Sequence, residues 1–205
     1  MSGPAVGIIV LAAGASSRMG EPKQLLRHEG ETLLGRAVRV ALGTRCRPLV
    51  VVLGSDSDEM LGEAAAAEAR VVVNEAWAEG MASSIRRGLL ELEASAPAGV
   101  EAAVLTLCDQ PFVSAEILER LVDVYRRQQA TLVASEYESG GERVRGVPAL
   151  FGRLLFPELM ELRGAEGARR VIARHSASCS TIRVPEAAFD IDTPKDYLAL
   201  RGHSR

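Results

Sequence analysis

The feature that most limits how this chain can fold is a set of short, almost wholly apolar runs at residues 6–11, 49–53, 71–73, 102–107 and 131–134, rich in valine, isoleucine and leucine. Strands without a polar face must be covered on both sides, as in a parallel sheet. Between the runs, residues 32–42, 56–69, 83–92 and 114–128 place apolar side chains at helical spacing. Strand and helix in alternation predict an α/β sandwich with a mostly parallel sheet. Ser83 and Ser114 stand where helix N-caps belong, and residues 97–99 and 139–141 carry the Pro and Gly of loops.

Past residue 141 the pattern changes. Residues 143–151 read as extended, Phe156-Pro157 opens a short helix, 165–174 holds a second, 181–184 is a further strand, and Pro194 starts a last helix at its N1 position. No stretch of flexible composition sets this part apart. A single domain over 1–205 is therefore expected, with an added lobe over about 143–205.

A chain of 205 residues is long enough for one sizeable core. Its net charge of −3, without a Lys/Arg-rich run, lacks the electrostatic footprint of a nucleic-acid binder and favours small-molecule partners. Cys46, Cys108 and Cys179 fit neither a disulfide framework nor paired metal spacing, and read as reduced core thiols of a cytoplasmic protein. The apolar stretch 5–13 has no basic residue before it and is too short to cross a bilayer, so neither export nor membrane anchoring is expected. His28, His175 and His203 fall in stretches that read as surface.

In open parallel sheets ligands gather at the carboxyl ends of strands. The first strand is followed by Ala12-Ala13-Gly14-Ala15-Ser16-Ser17-Arg18 and, five residues on, Lys23. Small residues let main-chain N–H groups approach an anion, and basic residues behind them supply charge, which suits phosphate. The spacing matches neither a Walker loop nor GxGxxG, so hydride transfer to a dinucleotide loses its main support. Only Lys23 and Lys195 among 24 basic residues are lysines. A lysine in an arginine-rich chain marks either a site that wants a compact ammonium or an ordinary solvated position. Asp109, at the end of the 102–107 run, either holds magnesium or caps the turn before Pro111. Residues 74–88 carry the one tryptophan, Trp77, and the pair Ser83 and Ser84, whose hydroxyls offer themselves to a ribose or base, or simply cap a helix. Alternation places Asp190 and Asp192 on one side of an extended segment, where Asp192 or Thr193 also fits as a helix cap.

Taken in order, LAAGASSRMGEPK (11–23), NEAWAEGMASSIRRG (74–88), LCDQP (107–111) and DIDTPKDY (190–197) make the chain resemble the nucleotidyltransferases of the molybdenum cofactor cytidylyltransferase type. The resemblance spans nearly the whole chain. It implies a Rossmann-like, nucleotide-diphospho-sugar transferase-like three-layer fold and magnesium-dependent transfer of a nucleoside monophosphate to a terminal phosphate, with pyrophosphate leaving. By the same resemblance Leu11, Ala12, Ala13 and Gly14, with Asn74, Gly80, Ser83 and Ser84, take the nucleotide. Arg18 and Lys23 neutralise the triphosphate, and Asp109 holds the metal together with Asp190 or Asp192. Ala13 looks like the cytidylyl branch, since guanylyl relatives tend to have a second glycine there, so CTP is favoured over GTP. Molybdopterin is the implied acceptor and a molybdenum enzyme the implied partner. Relatives often carry GHP and GDxGAR on the acceptor side, where this chain has Gly146-Val147-Pro148 and Gly164-Ala165-Glu166-Gly167-Ala168-Arg169. The acceptor is thereby left open, and a non-catalytic nucleotide-binding protein remains the alternative.

Overall fold

A computed structural model describes residues 5–54, 60–62 and 69–202. Seven strands form one sheet: β1 (Ala5–Ala12), β4 (Leu49–Leu53), β5 (Arg70–Val73), β6 (Val100–Leu107), β7 (Leu132–Ser139), β8 (Glu142–Gly152) and β9 (Ser180–Arg183). The two-residue strands β2 (Arg27–His28) and β3 (Glu31–Thr32) pair as a separate hairpin. The sheet order is β5-β4-β1-β6-β8-β7-β9. Strand β1 pairs in parallel with β4 on one edge and β6 on the other. The chain leaves β1 in one direction, returns, and departs in the other, so the topological switch point falls at the carboxyl ends of β1 and β6.

The apolar runs explain the layers. Along β1, Ile8, Val10 and Ala12 enter one core with Leu34, Val38 and Ala41 of α1 (Leu33–Leu42) and Leu118 and Leu121 of α3 (Ala115–Gln128). Ile9, Leu11 and Ala13 enter the opposite core with Ile85, Leu89 and Leu92 of α2 (Met81–Ala94). The expected three-layer α/β sandwich with a mostly parallel sheet is what forms. The second core also takes in Phe156 and Leu159 of α4 (Phe156–Glu161) and Val171 and Ile172 of α5 (Arg169–Arg174). The late lobe thus shares its apolar interior with the first half of the chain. No helix of the described residues is long and apolar enough to cross a membrane.

Several elements depart from the expected boundaries. The strand expected over 131–134 runs from Leu132 to Ser139 and turns through Gly140 and Gly141, both at positive φ, into β8, which is antiparallel to β7 and β6. Two consecutive left-handed residues make the tight hairpin turn, which the Gly-Gly pair permits at little cost. Ser114 caps α3 through Ile117 N–H, as expected, but Ser83 is no N-cap: α2 begins at Met81 behind Gly80. The helix expected over 165–174 starts only at Arg169, since Gly164 is left-handed and residues 165–168 are not helical. Of the helix expected over 56–69, residues 60–62 are helical and most of the remainder lies outside the described residues. His28 is buried rather than superficial, edge-on to Phe112 at 6.4 Å between ring centres, because the β2–β3 hairpin folds back over the core. His175 is half-buried against Glu158, with Nε2 and Oε1 2.6 Å apart, and His203 lies outside the described residues. Cys46 and Cys108 are buried and Cys179 is half-buried, all three unpaired thiols.

Candidate functional site

At the switch point lies a cavity of about 290 Å³. Its floor is the end of β1 with the loop that follows, from Leu11 to Ala15; Leu107, Cys108 and Asp109 close one side, and Trp77, Ala78, Gly80, Met81 and Ser84 the other. Its polar side chains are Lys23, Gln24, Asp109, Ser84 and the Trp77 indole, among small and apolar residues.

Lys23 and Asp109 belong to a chain of ion pairs joining three distant parts of the sequence. Lys23 Nζ donates to Asp109 Oδ2 at 2.5 Å and to Asp192 Oδ1 at 2.9 Å, and Arg18 Nη2 donates to Asp192 Oδ2 at 2.8 Å. The Lys23 and Asp109 side chains are only 12% and 14% exposed, so neither charge is well hydrated and each depends on the other. Burial works against the Lys23 charge, but the charge and hydrogen bond of Asp109, with Asp192, win and raise its pKa above the ordinary lysine range. Asp192 shows the reverse sign. Its burial favours the neutral acid, yet the hydrogen bond from Lys23 and the charges of Lys23 and Arg18 hold it below the usual aspartate range. Asp190 is pushed up, first by partial burial and then by the negative charges of Asp109 and Asp192.

Asp109 Oδ1 is buried without a hydrogen-bond partner. An orphaned carboxylate oxygen beside further carboxylates, in a set of hard oxygen donors, fits a divalent cation such as magnesium or manganese. Among the described residues no three His, Cys, Asp or Glu side chains are already gathered as a ligand cluster. Magnesium is commonly held by one or two carboxylates, with substrate phosphates completing its shell.

The loop after β1 is fixed by a residue that its own motif spacing does not single out. Gln24, almost wholly buried, donates through Nε2 to the carbonyls of Ala12 and Gly14 at 2.8 and 2.7 Å. Its Oε1 accepts from Ser16 Oγ, which in turn accepts from Lys23 N–H. With the carbonyls tied back, the loop's shape is held while Lys23 is carried into position. Gln110 does the same for the late lobe, donating to the carbonyls of Val147 and Ala187, while Ile191 N–H donates to the Asp109 carbonyl. This knits Asp109 to the segment that bears Asp190 and Asp192. No periodicity marks either glutamine. Only their position beside a charged motif residue hints at them.

On the opposite side Gly80 has φ of +107°, and a Cβ there would meet the Gly164 carbonyl oxygen at 2.5 Å. The close approach lets that carbonyl accept from Ala82 N–H and seats the late lobe on the start of α2. Asn74 and Ser83 do not line the cavity; they stand behind its wall in a buried network with Ser84. Arg18 is 68% exposed outside the cavity, reaching the site through Asp192.

The last helix, α6 (Pro194–Gly202), follows directly on Asp192. Thr193 and Asp196 cap it reciprocally: Asp196 Oδ2 accepts from Thr193 N–H at 2.8 Å, and Thr193 Oγ1 accepts from Asp196 N–H at 3.3 Å. The cap role therefore falls to Thr193, leaving Asp192 for the ion pairs. The Thr193 hydroxyl bond, outweighing desolvation, lowers the Asp196 pKa below its ordinary 3.8. Asp196→Asn is expected to cost about 0.5–1 kcal/mol at neutral pH. Because the folded pKa is depressed, that difference is whole above pH 3.8 and vanishes as pH falls through the lower folded value. Urea melts of both proteins at pH 7 and pH 3 check it; a gap that does not narrow removes the charge from the cap.

A small-residue loop, a part-buried lysine and a partly orphaned carboxylate at a switch-point cavity suit phosphate chemistry, and the family match makes the class an α/β nucleotidyltransferase. Residues 8–179 match the family model of the MobA-like NTP transferase domain, and the chain belongs to that family. It is 32% identical over 206 residues to the nicotine blue oxidoreductase of Paenarthrobacter nicotinovorans, covering 96% of this chain and 97% of that protein. It is 28% identical to the molybdenum cofactor cytidylyltransferase of Escherichia coli K12, covering 96% of each. Among solved structures, Rv0371c of Mycobacterium tuberculosis H37Rv superposes with a TM-score of 0.84 at 30% identity, covering 98% of this chain and 100% of that one. A structure of Rv0371c in complex with manganese superposes at 0.78 with 28% identity, covering 97% of this chain and 98% of that one.

Proposed function

We propose that this chain acts as one nucleotidyltransferase domain that moves CMP from CTP to the terminal phosphate of a small acceptor such as molybdopterin, with the lobe from about residue 143 onward on the acceptor side. The observation that carries the reading is the Lys23–Asp109 pair, part-buried at the carboxyl ends of β1 and β6 beside the 12–15 loop. A triphosphate needs main-chain N–H groups and cations, and its base needs an apolar bed; the cavity lining offers both.

In this reading the loop 12–15 holds the phosphates, and the Lys23 ammonium and the Arg18 guanidinium neutralise charge on them. Magnesium, held by Asp109 and Asp190, would supply electrostatic stabilisation as negative charge moves to the leaving pyrophosphate. Asp190 is assigned as the second carboxylate because the like charges around it favour a cation, whereas both oxygens of Asp192 are committed to Lys23 and Arg18. Asp192 then acts as the anchor that holds the two cations. An acceptor phosphate oxygen attacks the α-phosphorus in line, the bond to the bridging oxygen of the β-phosphate breaks, and pyrophosphate departs. Positioning and charge neutralisation do the chemistry, and no side-chain nucleophile is needed. The protein would work in the cytoplasm, handing its product to a molybdenum enzyme.

On the acceptor side Val147 packs against the apolar core below the cavity, and Ala165 removes a carboxylate, so the acceptor is read with fewer polar groups than in relatives that carry His and Asp there. The test is pyrophosphate release with each of the four nucleoside triphosphates and magnesium, against molybdopterin and other phosphorylated acceptors. Release dependent on CTP and one acceptor is expected. Release with none of these pairs of nucleotide and acceptor would overturn the reading.

A further inference from the structure

A second cavity, of about 350 Å³, lies on the late lobe between the β7–β8 hairpin and α5, and it shares no lining residue with the cavity at the switch point. Arg143, Arg145 and Arg169 line it, and Glu136 is the one carboxylate in its wall. Three guanidinium groups against one carboxylate leave a surplus of two positive charges, on a chain whose net charge is −3. Glu136 is shared rather than committed. Its oxygens stand 3.6 Å from Arg143 Nη1 and 3.6 Å from Arg145 Nε, too far for a hydrogen bond to either. Arg169 has no ion pair among the described residues.

Two of the three guanidinium groups are nonetheless held in place, and by neutral partners. Arg145 Nη1 donates to the Ser176 carbonyl at 2.8 Å. Arg169 Nη2 donates to Tyr137 Oη at 2.7 Å, and its Cζ lies 5.9 Å from the centre of the Tyr137 ring. Gly146 makes the second arrangement possible: a Cβ there would stand 2.6 Å from Tyr137 Oη and 3.2 Å from Arg169 Nε, and would push the pair apart. A neutral acceptor fixes a guanidinium without cancelling its charge. What results is a set of oriented forks with donors to spare, whose complement is an oxyanion with several acceptor oxygens. A phosphate monoester fits best, since it carries close to two negative charges at neutral pH and three acceptor oxygens, where a carboxylate brings one charge and two oxygens.

The cavity adjoins the reacting centre without being part of it. Arg145 lies two residues before Val147, whose carbonyl accepts from Gln110 beside Asp109. Arg169 lies two residues after Gly167, where a Cβ would meet Sδ of Met81, a wall residue of the switch-point cavity, at 2.9 Å. Two residues of chain span about 7 Å at most, so the main chain that bears these arginines is one small molecule's length from the site. We propose that Arg143, Arg145 and Arg169 form a binding site for a phosphate monoester, separate from the site that takes the triphosphate. The site stands on its own geometry; its use as the seat of a second, non-reacting phosphate of the acceptor rests on the nucleotidyltransferase reading. The other source of the same chemistry is a phosphorylated small molecule that is not a substrate.

Inorganic phosphate is the probe, titrated without nucleotide or metal into the wild-type chain, Arg143→Gln and Arg169→Gln, with the main-chain amide signals of Gly146 and Ser176 followed by NMR. In the wild type both signals are expected to move and to saturate at low-millimolar phosphate. Each variant should weaken that binding about 10-fold, the scale of one charge-assisted hydrogen bond. Arg143 is 74% exposed, so its replacement removes charge without disturbing the core. Wild-type signals that stay in place, or shifts that both variants keep, overturn the proposal; the first result needs no variant to fold. The source is then read by calorimetry with magnesium and CTP present, comparing butanediol bisphosphate with butyl phosphate. A preference of about 10-fold for the bisphosphate that Arg169→Gln abolishes assigns the site to the acceptor, and equal binding of the two assigns it to a separate molecule. A wild type that binds phosphate at the arginines but no nucleoside triphosphate overturns the nucleotidyltransferase reading and leaves the site. One that binds CTP while Gly146 and Ser176 ignore phosphate overturns the site alone.

Discussion

Asp109→Asn is expected to lower turnover about 10³-fold, roughly 4 kcal/mol of barrier, while changing stability by no more than about 1 kcal/mol. The two effects separate because of what surrounds the carboxylate. Oδ1 is the buried, unpartnered oxygen that fits a divalent cation, and an amide in its place keeps the shape but loses the charge. Oδ2 faces Lys23, but Lys23 also has Asp192 at 2.9 Å, so the ammonium is not stranded when Asp109 becomes neutral. Steady-state rates across a magnesium titration, with a guanidinium melt of the same preparation, check both halves. Near-normal turnover at saturating magnesium would remove Asp109 from the chemistry and leave it a turn residue.

Lys23→Ala is expected to do more damage, in two ways that have separate readouts. Triphosphate affinity should fall about 100-fold or more, since one close, poorly hydrated cation is lost from a polyanion site. Stability should fall by about 2–3 kcal/mol, between the values for exposed and for fully buried ion pairs, because Asp109 is left as a part-buried charge without its cation. The double variant Lys23→Ala with Asp109→Asn should recover most of the stability and none of the affinity, since neither unpaired charge then remains. Melts of the four proteins in the cycle, with nucleotide titrations, test it. A stable Lys23→Ala protein with wild-type affinity would show the lysine to be idle. The pH sign is also fixed. A raised lysine pKa contributes its full stabilisation below the ordinary value of 10.5 and loses it only above, so the pair should be insensitive to pH through the neutral range.

Both results turn on contacts between residues far apart in the chain. Lys23 and Asp192 are separated by 169 positions and Lys23 and Asp109 by 86. Each residue stood out in the sequence for a local reason: a lysine among arginines, an aspartate ending an apolar strand, two aspartates alternating before a helix. That Lys23 lies between two of those carboxylates was not readable, because ion-pair geometry depends on where strand ends meet. The same limit hid Gln24 and Gln110. A side-chain amide that ties two carbonyls together leaves no period, cap or composition signal. Ser83 is no cap for a related reason: Gly80, with a conformation open to it but strained for other residues and a carbonyl of the late lobe against it, starts the helix at Met81, ahead of the serine pair.

Apolar periodicity and ordered motifs are local properties, so the layered α/β architecture, the small-residue loop after the first strand and the family are legible before the chain folds. What each polar residue does follows from long-range contacts. Asp192 became an anchor for cations, Thr193 the cap, and Ser83 a support behind the cavity wall. Such roles are set by which donors and acceptors are left over once every buried group has found its partner, and that count closes only when the chain is folded.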